Sequence, residues 1–542
     1  MNGRPMSRTH RWVVLGTGAI VFVVFHGFLS MGLPVKFPSP DESANHLFTQ
    51  SFATRGSLAL PSPLTAADGI VAPRSMLTRA GELLPASFLG MPLLYGAIAR
   101  VIGMWAVPFL TPLITYVALL ALYGLFARLF PKRIALVSTV LVALHPAVWY
   151  ATTRGMFHNM LFVDCCIIGA YALVRGFETA SLRSKLWLGL SGLSIGSAIA
   201  VRSSEVLWVS AVLLVVVFIV RKKSAFHRGW WAFVACGLIP VVIILTANQH
   251  LYGHALSFGY SGGVSSADTI AGLSSTIADK ISGAFFPFGF HPVRAFFHFV
   301  DYSIRLFWFP TLISIVGLVG MLRIKGITRP QKWFYLGTAA VSVWLILYYG
   351  SWTVQDSPDP GAVTVGTSYA RYWLPLYILT MPLAATLLVR VRELAPRAGR
   401  IVMVLSLLAV WSTGALTVVF NPLEGTVALR KQIVSYGSLG ERAQALTPSD
   451  AVIISSRGDK VFFPERSVIM SVETSAQQKQ LRELMVKVPV YVYVPAADSP
   501  VTVSRMWISR GFSLTTELPL APYERLYLLR DGIDDNLAQE VQ

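Results

Sequence analysis

Charge is scarce in this chain of 542 residues: Asp, Glu, Lys and Arg make up 13% of it, where soluble domains carry about a quarter. Cysteine is scarcer. Cys165, Cys166 and Cys236 are the only three, and all fall inside apolar runs. A disulfide framework in the polar segments is therefore excluded, and cysteine says nothing about redox compartment. Several chemistry-bearing motifs are missing as well. There is no G-x-x-x-x-G-K-S/T loop, no H-E-x-x-H and no C-x-x-C, so the common nucleotide loop, zinc-protease helix and dithiol site find no support. No internal repeat of fixed period and no low-complexity tract occurs.

What the chain does have is hydrophobic residues, 54% of the total, with a mean hydropathy of +0.59. About twenty apolar residues suffice to cross a bilayer. Eleven such runs are expected as spans, near 12–33, 104–127, 134–153, 157–175, 186–201, 203–220, 229–247, 306–322, 333–350, 373–389 and 401–420. The first is long for a signal-peptide core and lacks a small-residue cleavage site, so it reads as an uncleaved span. Clusters such as Arg4/Arg8/Arg11, Arg221/Lys222/Lys223/Arg228 and Arg390/Arg392/Arg397/Arg400 fall in alternate connections. These connections hold twenty-one cations against two acids, Glu178 and Glu393. That asymmetry places them in the cytoplasm, together with the N-terminus. The net charge of +18 thus orients the chain in a cell membrane and implies no nucleic acid. An odd number of spans puts the C-terminal part outside the cytoplasm.

The fold class expected is a polytopic α-helical membrane protein with an extracytoplasmic α/β domain. The membrane part covers 1–420, with outer segments at 34–105 and 248–305, and the tail covers 421–542. In the tail, short β-branched runs ("AVIIS", "SVIM", "VPVYVYVP", "RLYLLR") alternate with polar stretches such as "TSAQQKQLRELMVK", the pattern of strands and helices.

Ionisable groups near hydrocarbon are costly and tend to be functional. Asp41 and Glu42, in "VKFPSPDESANHLFTQSFATRGSLALP", follow the first span by about eight residues. Ala44, Leu47, Phe48 and Phe52 recur at helical spacing, Pro40 marks a start and Gly56 a stop, so the two acids occupy a first turn. Capping that helix is their plain alternative role. Asp164 lies within the fourth span, with Arg154, His158 and Asn159 nearer its outer edge; a structural ion pair is its plain alternative. Arg202 stands between the fifth and sixth spans, where Glu205 offers a surface partner. Arg371 and Tyr372 open the tenth span, where Arg and aromatics also serve as interfacial anchors. His250, His254 and Tyr260 follow the seventh span, and His291 and Arg294 precede the eighth. Cations and acids thus gather at one membrane face, and arginine's forked donors suit phosphate.

The acidic pair followed by "ATRGSLAL" resembles the opening of the GT-C membrane glycosyltransferases, in the protein O-mannosyltransferase-like and lipid A aminoarabinose-transferase-like branch. "PASFLGMPLLYGAIARVIG", "LHPAVWYATTRGMFHNMLFVD", "GLSIGSAIAVRSS", "NQHLYGHALSFGY" and "SYARYWLPLY" resemble further elements of that family in the same order. The resemblance implies transfer of a hexosyl or pentosyl group from a polyprenyl-phosphate donor to a protein, lipid or glycan acceptor outside the membrane, with inversion. It implies Asp41 as general base, with Glu42 as the second candidate. Arg154, His158, Asn159, Asp164, Arg202, His250, Tyr260, Arg371 and Tyr372 are implied as substrate-binding residues. Two features depart from the family: His158 and Asn159 stand where a further acid is expected, and the W-W-D signature of oligosaccharyltransferases is missing. No metal is expected to be obligatory; a divalent cation is compatible with the acidic pair. A polyprenyl-glycan flippase or small-molecule transporter is the alternative from another class, but the sequence gives no sign of the inverted repeats or mid-membrane broken helices that it would show.

Overall fold

The computed structural model describes residues 8–31, 35–62, 64, 69–179, 181–220, 224–257, 259, 285–323, 327–354, 359 and 361–532. From the N-terminus the elements are α1 (Arg8–Gly27), α2 (Pro40–Arg55), β1 (Leu60–Pro61), β2 (Met76–Arg79), β3 (Glu82–Pro85) and α3 (Gly90–Ile102). Next come α4 (Val107–Leu129), α5 (Lys132–Leu144), α6 (Pro146–Thr153), α7 (His158–Glu178), α8 (Ser181–Val201), α9 (Val206–Val220) and α10 (Ser224–Tyr252). They are followed by α11 (Pro292–Phe299), α12 (Trp308–Leu322), α13 (Arg329–Gly350), α14 (Ser368–Tyr372), α15 (Leu374–Leu394) and α16 (Pro396–Gly414). The chain ends with α17 (Thr426–Leu446), β4 (Val452–Ile454), α18 (Asp459–Phe462), β5 (Ser467–Ile469), α19 (Ser475–Met485), β6 (Val490–Val494), α20 (Pro500–Ile508), β7 (Phe512–Ala521) and β8 (Glu524–Asp531).

Among the described residues, seven helices are long and apolar enough to cross a membrane. The count reaches nine when two bent pairs are taken as single spans: α5 with α6, bent by 56°, and the Pro292–Arg305 helix with α12, bent by 102°. Val13–Gly27 and Ser203–Val217 are apolar but shorter. Every apolar run read from the sequence carries a helix or a bent pair. The chain is a multi-pass helical membrane protein.

Two compact units form. The first comprises Met1–Met31, Trp105–Thr246 and Val264–Leu429, and the second Gly32–Met104, Ala247–Gly263 and Arg430–Gln542. In the first unit small residues let backbones approach. A Cβ on Gly192 of α8 would lie 1.9 Å from the Phe233 carbonyl oxygen of α10, and one on Gly196 would lie 2.2 Å from that of Gly237. The glycines of "SGLSIGSAIA" therefore serve helix packing.

The second unit joins residues 32–104 to the tail. Its larger sheet has the order β5-β4-β6-β8-β7. β4 pairs parallel with β5 and β6, while β8 runs antiparallel to β6 and β7. The four β-branched runs are β4, β5, β6 and β8, and "SAQQKQLRELM" is α19, opened by a capping box between Thr474 and Gln477. Beyond β5, Val71 makes an antiparallel bridge to Ile469. Ile70 and Val71 enter the same apolar cluster as Val452, Leu481 and Trp507. The smaller sheet, β1-β3-β2, lies within residues 60–85.

Candidate active site

The acidic pair stands on α2 as the sequence suggests. Ser39 is the extended N-cap, Pro40 takes the first helical position, and Gly56 closes the helix in the left-handed region at φ 73°. Proline is preorganised for a first turn and glycine adopts that closing conformation without steric cost. Ala44 and Phe48 are fully buried. α2 packs so closely on α3 that a Cβ on Gly96 would meet Phe52 at 2.9 Å and the Thr49 carbonyl at 3.0 Å.

Both acids lie in the first turn, where the helix dipole favours negative charge. Their settings differ. Glu42 is 2% exposed, whereas Asp41 is half-buried and its Oδ1 accepts the Ser75 hydroxyl at 2.5 Å. Further along, His46 packs against Phe37 with ring centroids 5.2 Å apart, and burial lowers its pKa to about 4. His250 is exposed in the last turn of α10. Tyr260 lies outside the described residues.

The arginines are held in the first unit. Arg154, 4% exposed, caps α6. Its Nη1 donates to the Tyr150 hydroxyl at 2.5 Å, and its guanidinium lies 4.8 Å from the centre of the Phe157 ring. Arg371 lies over the same ring at 4.2 Å and donates to Ser368 Oγ at 2.7 Å. The neighbouring Tyr372 ring receives Arg202 at 4.9 Å and Arg371 at 5.7 Å. Phe157 and Tyr372 therefore gather Arg154, Arg371 and Arg202, which come from three separate stretches of sequence. Cation–π contacts of this kind help hold guanidinium groups in place.

Arg202 also has a carboxylate partner. Its Nε and Nη2 donate to Glu205 Oε1 at 3.1 and 2.9 Å, and Nη2 reaches the Tyr349 hydroxyl at 3.0 Å. Tyr349 in turn donates to Glu205 Oε1, and Trp208 Nε1 donates to Oε2 at 2.6 Å. The expected surface pair is a buried network, with Arg202 at 6% and Glu205 at 4% exposure. Tyr349 stacks on Tyr372 at 4.4 Å. His158 and Asn159 are buried at the start of α7. Asp164, deeper on the same helix and fully buried, accepts the Thr115 hydroxyl of α4 at 2.6 Å.

Phe157, Tyr349 and Ser75 were not identified from the sequence. Phe157 and Tyr349 look like ordinary span aromatics, and Ser75 sits in an unpatterned loop.

A family model described as dolichyl-phosphate-mannose-protein mannosyltransferase matches residues 92–246, a stretch that includes Arg154, His158, Asn159, Asp164 and Arg202. No curated relative matches the sequence. Among solved structures, ArnT from Cupriavidus metallidurans bound to undecaprenyl phosphate is similar, with TM-score 0.53 and 12% identity, covering 96% of this chain and 98% of that one. The fold is that of the GT-C glycosyltransferases. Archaeal oligosaccharyltransferase AglB from Archaeoglobus fulgidus, in complex with an inhibitory peptide and a dolichol-phosphate, is similar with TM-score 0.52 and 12% identity, over 89% of this chain and 70% of that one. The Archaeoglobus fulgidus enzyme in complex with Zn and sulfate gives TM-score 0.51 and 12% identity, over 88% and 68%.

Proposed function

We propose that this GT-C protein transfers a sugar from a polyprenyl-phosphate donor to an acceptor hydroxyl on the outer face of the cell membrane, with inversion. The observation that carries this reading is the set of three guanidinium groups, Arg154, Arg202 and Arg371, assembled on the Phe157 and Tyr372 rings. Such a set offers forked donors to a phosphate. Polyprenyl phosphates bound in the ArnT and AglB structures support a lipid phosphate as their target.

In the proposed reaction Asp41 takes the acceptor's proton as the acceptor oxygen attacks the anomeric carbon. The bond from that carbon to the phosphate oxygen breaks, and the electron pair stays on the polyprenyl phosphate. Arginine stabilises the charge that grows there. Asp41 is the better base of the two acids because it is half-buried and reachable, whereas Glu42 is enclosed. Among the described residues no three His, Cys, Asp or Glu side chains form a metal-holding group. Two adjacent carboxylates alone cannot fill a coordination shell of about six oxygens. A divalent cation, as in the Zn-bound Archaeoglobus fulgidus structure, would need donor phosphate or water to complete its shell, and the steps above use protein groups alone.

The test incubates purified protein with labelled undecaprenyl-phosphate hexoses and pentoses and a cell-envelope fraction. Wild type is expected to transfer label, and Asp41→Asn to lose at least about a hundredfold in rate. Equal transfer by Asp41→Asn would remove the proposed base. Absence of transfer from every donor, with labelled lipid crossing vesicles instead, would favour a flippase.

A further inference from the structure

We propose that Asp459, in the C-terminal tail, is a positioning residue for Asp41, acting through Arg74 and Ser75; this rests on Asp41 being the base. The Asp459 carboxylate is buried, with its side chain 3% exposed, and it clamps Arg74 in two ways. Arg74 Nη2 donates to Oδ1 at 2.6 Å, and Nε lies 3.2 and 3.1 Å from Oδ1 and Oδ2. The Arg74 backbone N–H also donates to Oδ2, at 3.3 Å. One carboxylate thus fixes both the side chain and the main chain of residue 74.

The next residue, Ser75, has φ +61°. A non-glycine residue holds that conformation only when its surroundings over-determine it. Its carbonyl accepts the Ala86 N–H at 3.0 Å, and its hydroxyl donates to Asp41 Oδ1 at 2.5 Å. On the other side, the bridge between Val71 and Ile469 docks the preceding residues against the tail's sheet. The turn that carries the hydroxyl to Asp41 is therefore held by the tail, and its conformation, unfavourable for serine, is the expected consequence. In this arrangement the tail orients the base; it does not touch substrate.

A positioning role predicts loss of turnover without loss of donor binding. On the full chain in detergent, Ser75→Gly keeps the backbone conformation and removes the hydroxyl. Asp459→Asn weakens the clamp, and Arg74→Lys keeps the charge without the fork. Val490→Ala, in the core of the tail's sheet and 1% exposed, loosens the tail without touching the clamp. With the labelled donor that wild type turns over, Ser75→Gly and Asp459→Asn are expected to lower kcat about tenfold at unchanged donor KM. Arg74→Lys should fall between them and wild type, and Val490→Ala should lower Tm yet keep kcat below its melting temperature.

Hydrogen exchange on the same samples reads the clamp without any substrate: Asp459→Asn should speed exchange across residues 73–78 and the first turn of α2. Wild-type kcat in Asp459→Asn, an equal kcat loss in Val490→Ala, or unchanged exchange across 73–78 would each overturn the proposal. If wild type turns over no donor while exchange responds as expected, the transferase reading has failed and the anchoring stands. If Asp41→Asn is inactive but exchange is unmoved, the base stands and the anchoring has failed.

Discussion

Each unit contains an arginine paired with a buried carboxylate, and the two pairs are built in opposite ways. Arg202 and Glu205 are three residues apart, both inside the helical unit, with side chains 7% and 5% exposed. Arg74 and Asp459 are 385 residues apart, and Arg74 keeps 28% of its side-chain surface in water. The first pair is embedded in rings and hydroxyls, so its charges have several partners at once. The second joins two distant stretches of the same unit through a single carboxylate. A local pair of this kind organises a cluster of side chains, whereas a distant pair fixes a backbone. Their loss should therefore be felt in different places.

The largest effect is expected at Arg202. Truncation to Ala leaves the Glu205 carboxylate buried without its counter-charge, a loss of about 3–5 kcal/mol, measurable by thermal unfolding in detergent. The double variant Arg202→Met with Glu205→Leu removes both charges and should recover most of that stability. It should still fail to transfer sugar, because the guanidinium is gone. Recovery of transfer in the double variant would make the pair structural and remove Arg202 from the phosphate-binding set.

Breaking the distant pair should cost less. Arg74→Ala strands the Asp459 carboxylate at the edge of a solvated unit, for about 2–3 kcal/mol. Unfolding of the second unit should show this, read by the near-ultraviolet signal of Trp507, which is 2% exposed in its core. No loss at all would mean that water replaces the guanidinium, and the contrast between the two pairs would vanish.

Legibility in the sequence follows the same division. Helix α2, its acidic first turn and its glycine stop were readable because the signals lie within about sixteen residues of one another. The pairing of Arg202 with Glu205 was readable as well, but its burial was not, since that depends on Tyr349, 147 residues away from Arg202. Nothing local in "APRSMLTR" marks Arg74 or Ser75, because their partners, Asp459 and Asp41, come from other parts of the chain. Strand β7 escaped for another reason. Its register shifts between Thr515 and Glu517 and again between Pro519 and Ala521, so the two-residue alternation that betrays a strand is broken twice.

The second unit should also respond to pH where it holds a half-buried imidazole. His46 ionises at about 4 in the folded chain because burial disfavours the cation, against about 6.5 when unfolded. Well above pH 6.5 neither state is protonated and the full stability is present. As pH falls from 6.5 to 4 the unfolded chain takes up a proton that the folded one refuses, so stability declines by roughly 2.5 kcal/mol. His46→Gln should flatten that slope in melts between pH 7 and pH 4, and an unchanged slope would assign the decline to other groups.

The smallest change should act on the second unit's stability alone. β2 and β3 are joined by Ala80 and Gly81, with Arg79 paired to Glu82 and φ of 51° and 76° at the two central residues. Two left-handed residues make a type I′ turn, whose natural occupants are Asn-Gly. Gly81 fits, but Ala80 holds a conformation that costs an L-residue with a Cβ roughly 1–2 kcal/mol. Asparagine visits this region at lower cost, and position 80 is exposed, so its amide stays solvated. Ala80→Asn should therefore stabilise the unit by about 1 kcal/mol, with kcat unchanged because Ser75 keeps its own anchor. Ala80→Gly should gain less, since glycine's extra freedom in the unfolded chain offsets part of the relief. Ala80→Val, β-branched, should lose stability. If Asn and Val shift the melting temperature of the second unit equally, the turn is not strained at Ala80. If Asn instead lowers kcat, the hairpin, and not the Asp459 clamp, sets the position of Ser75.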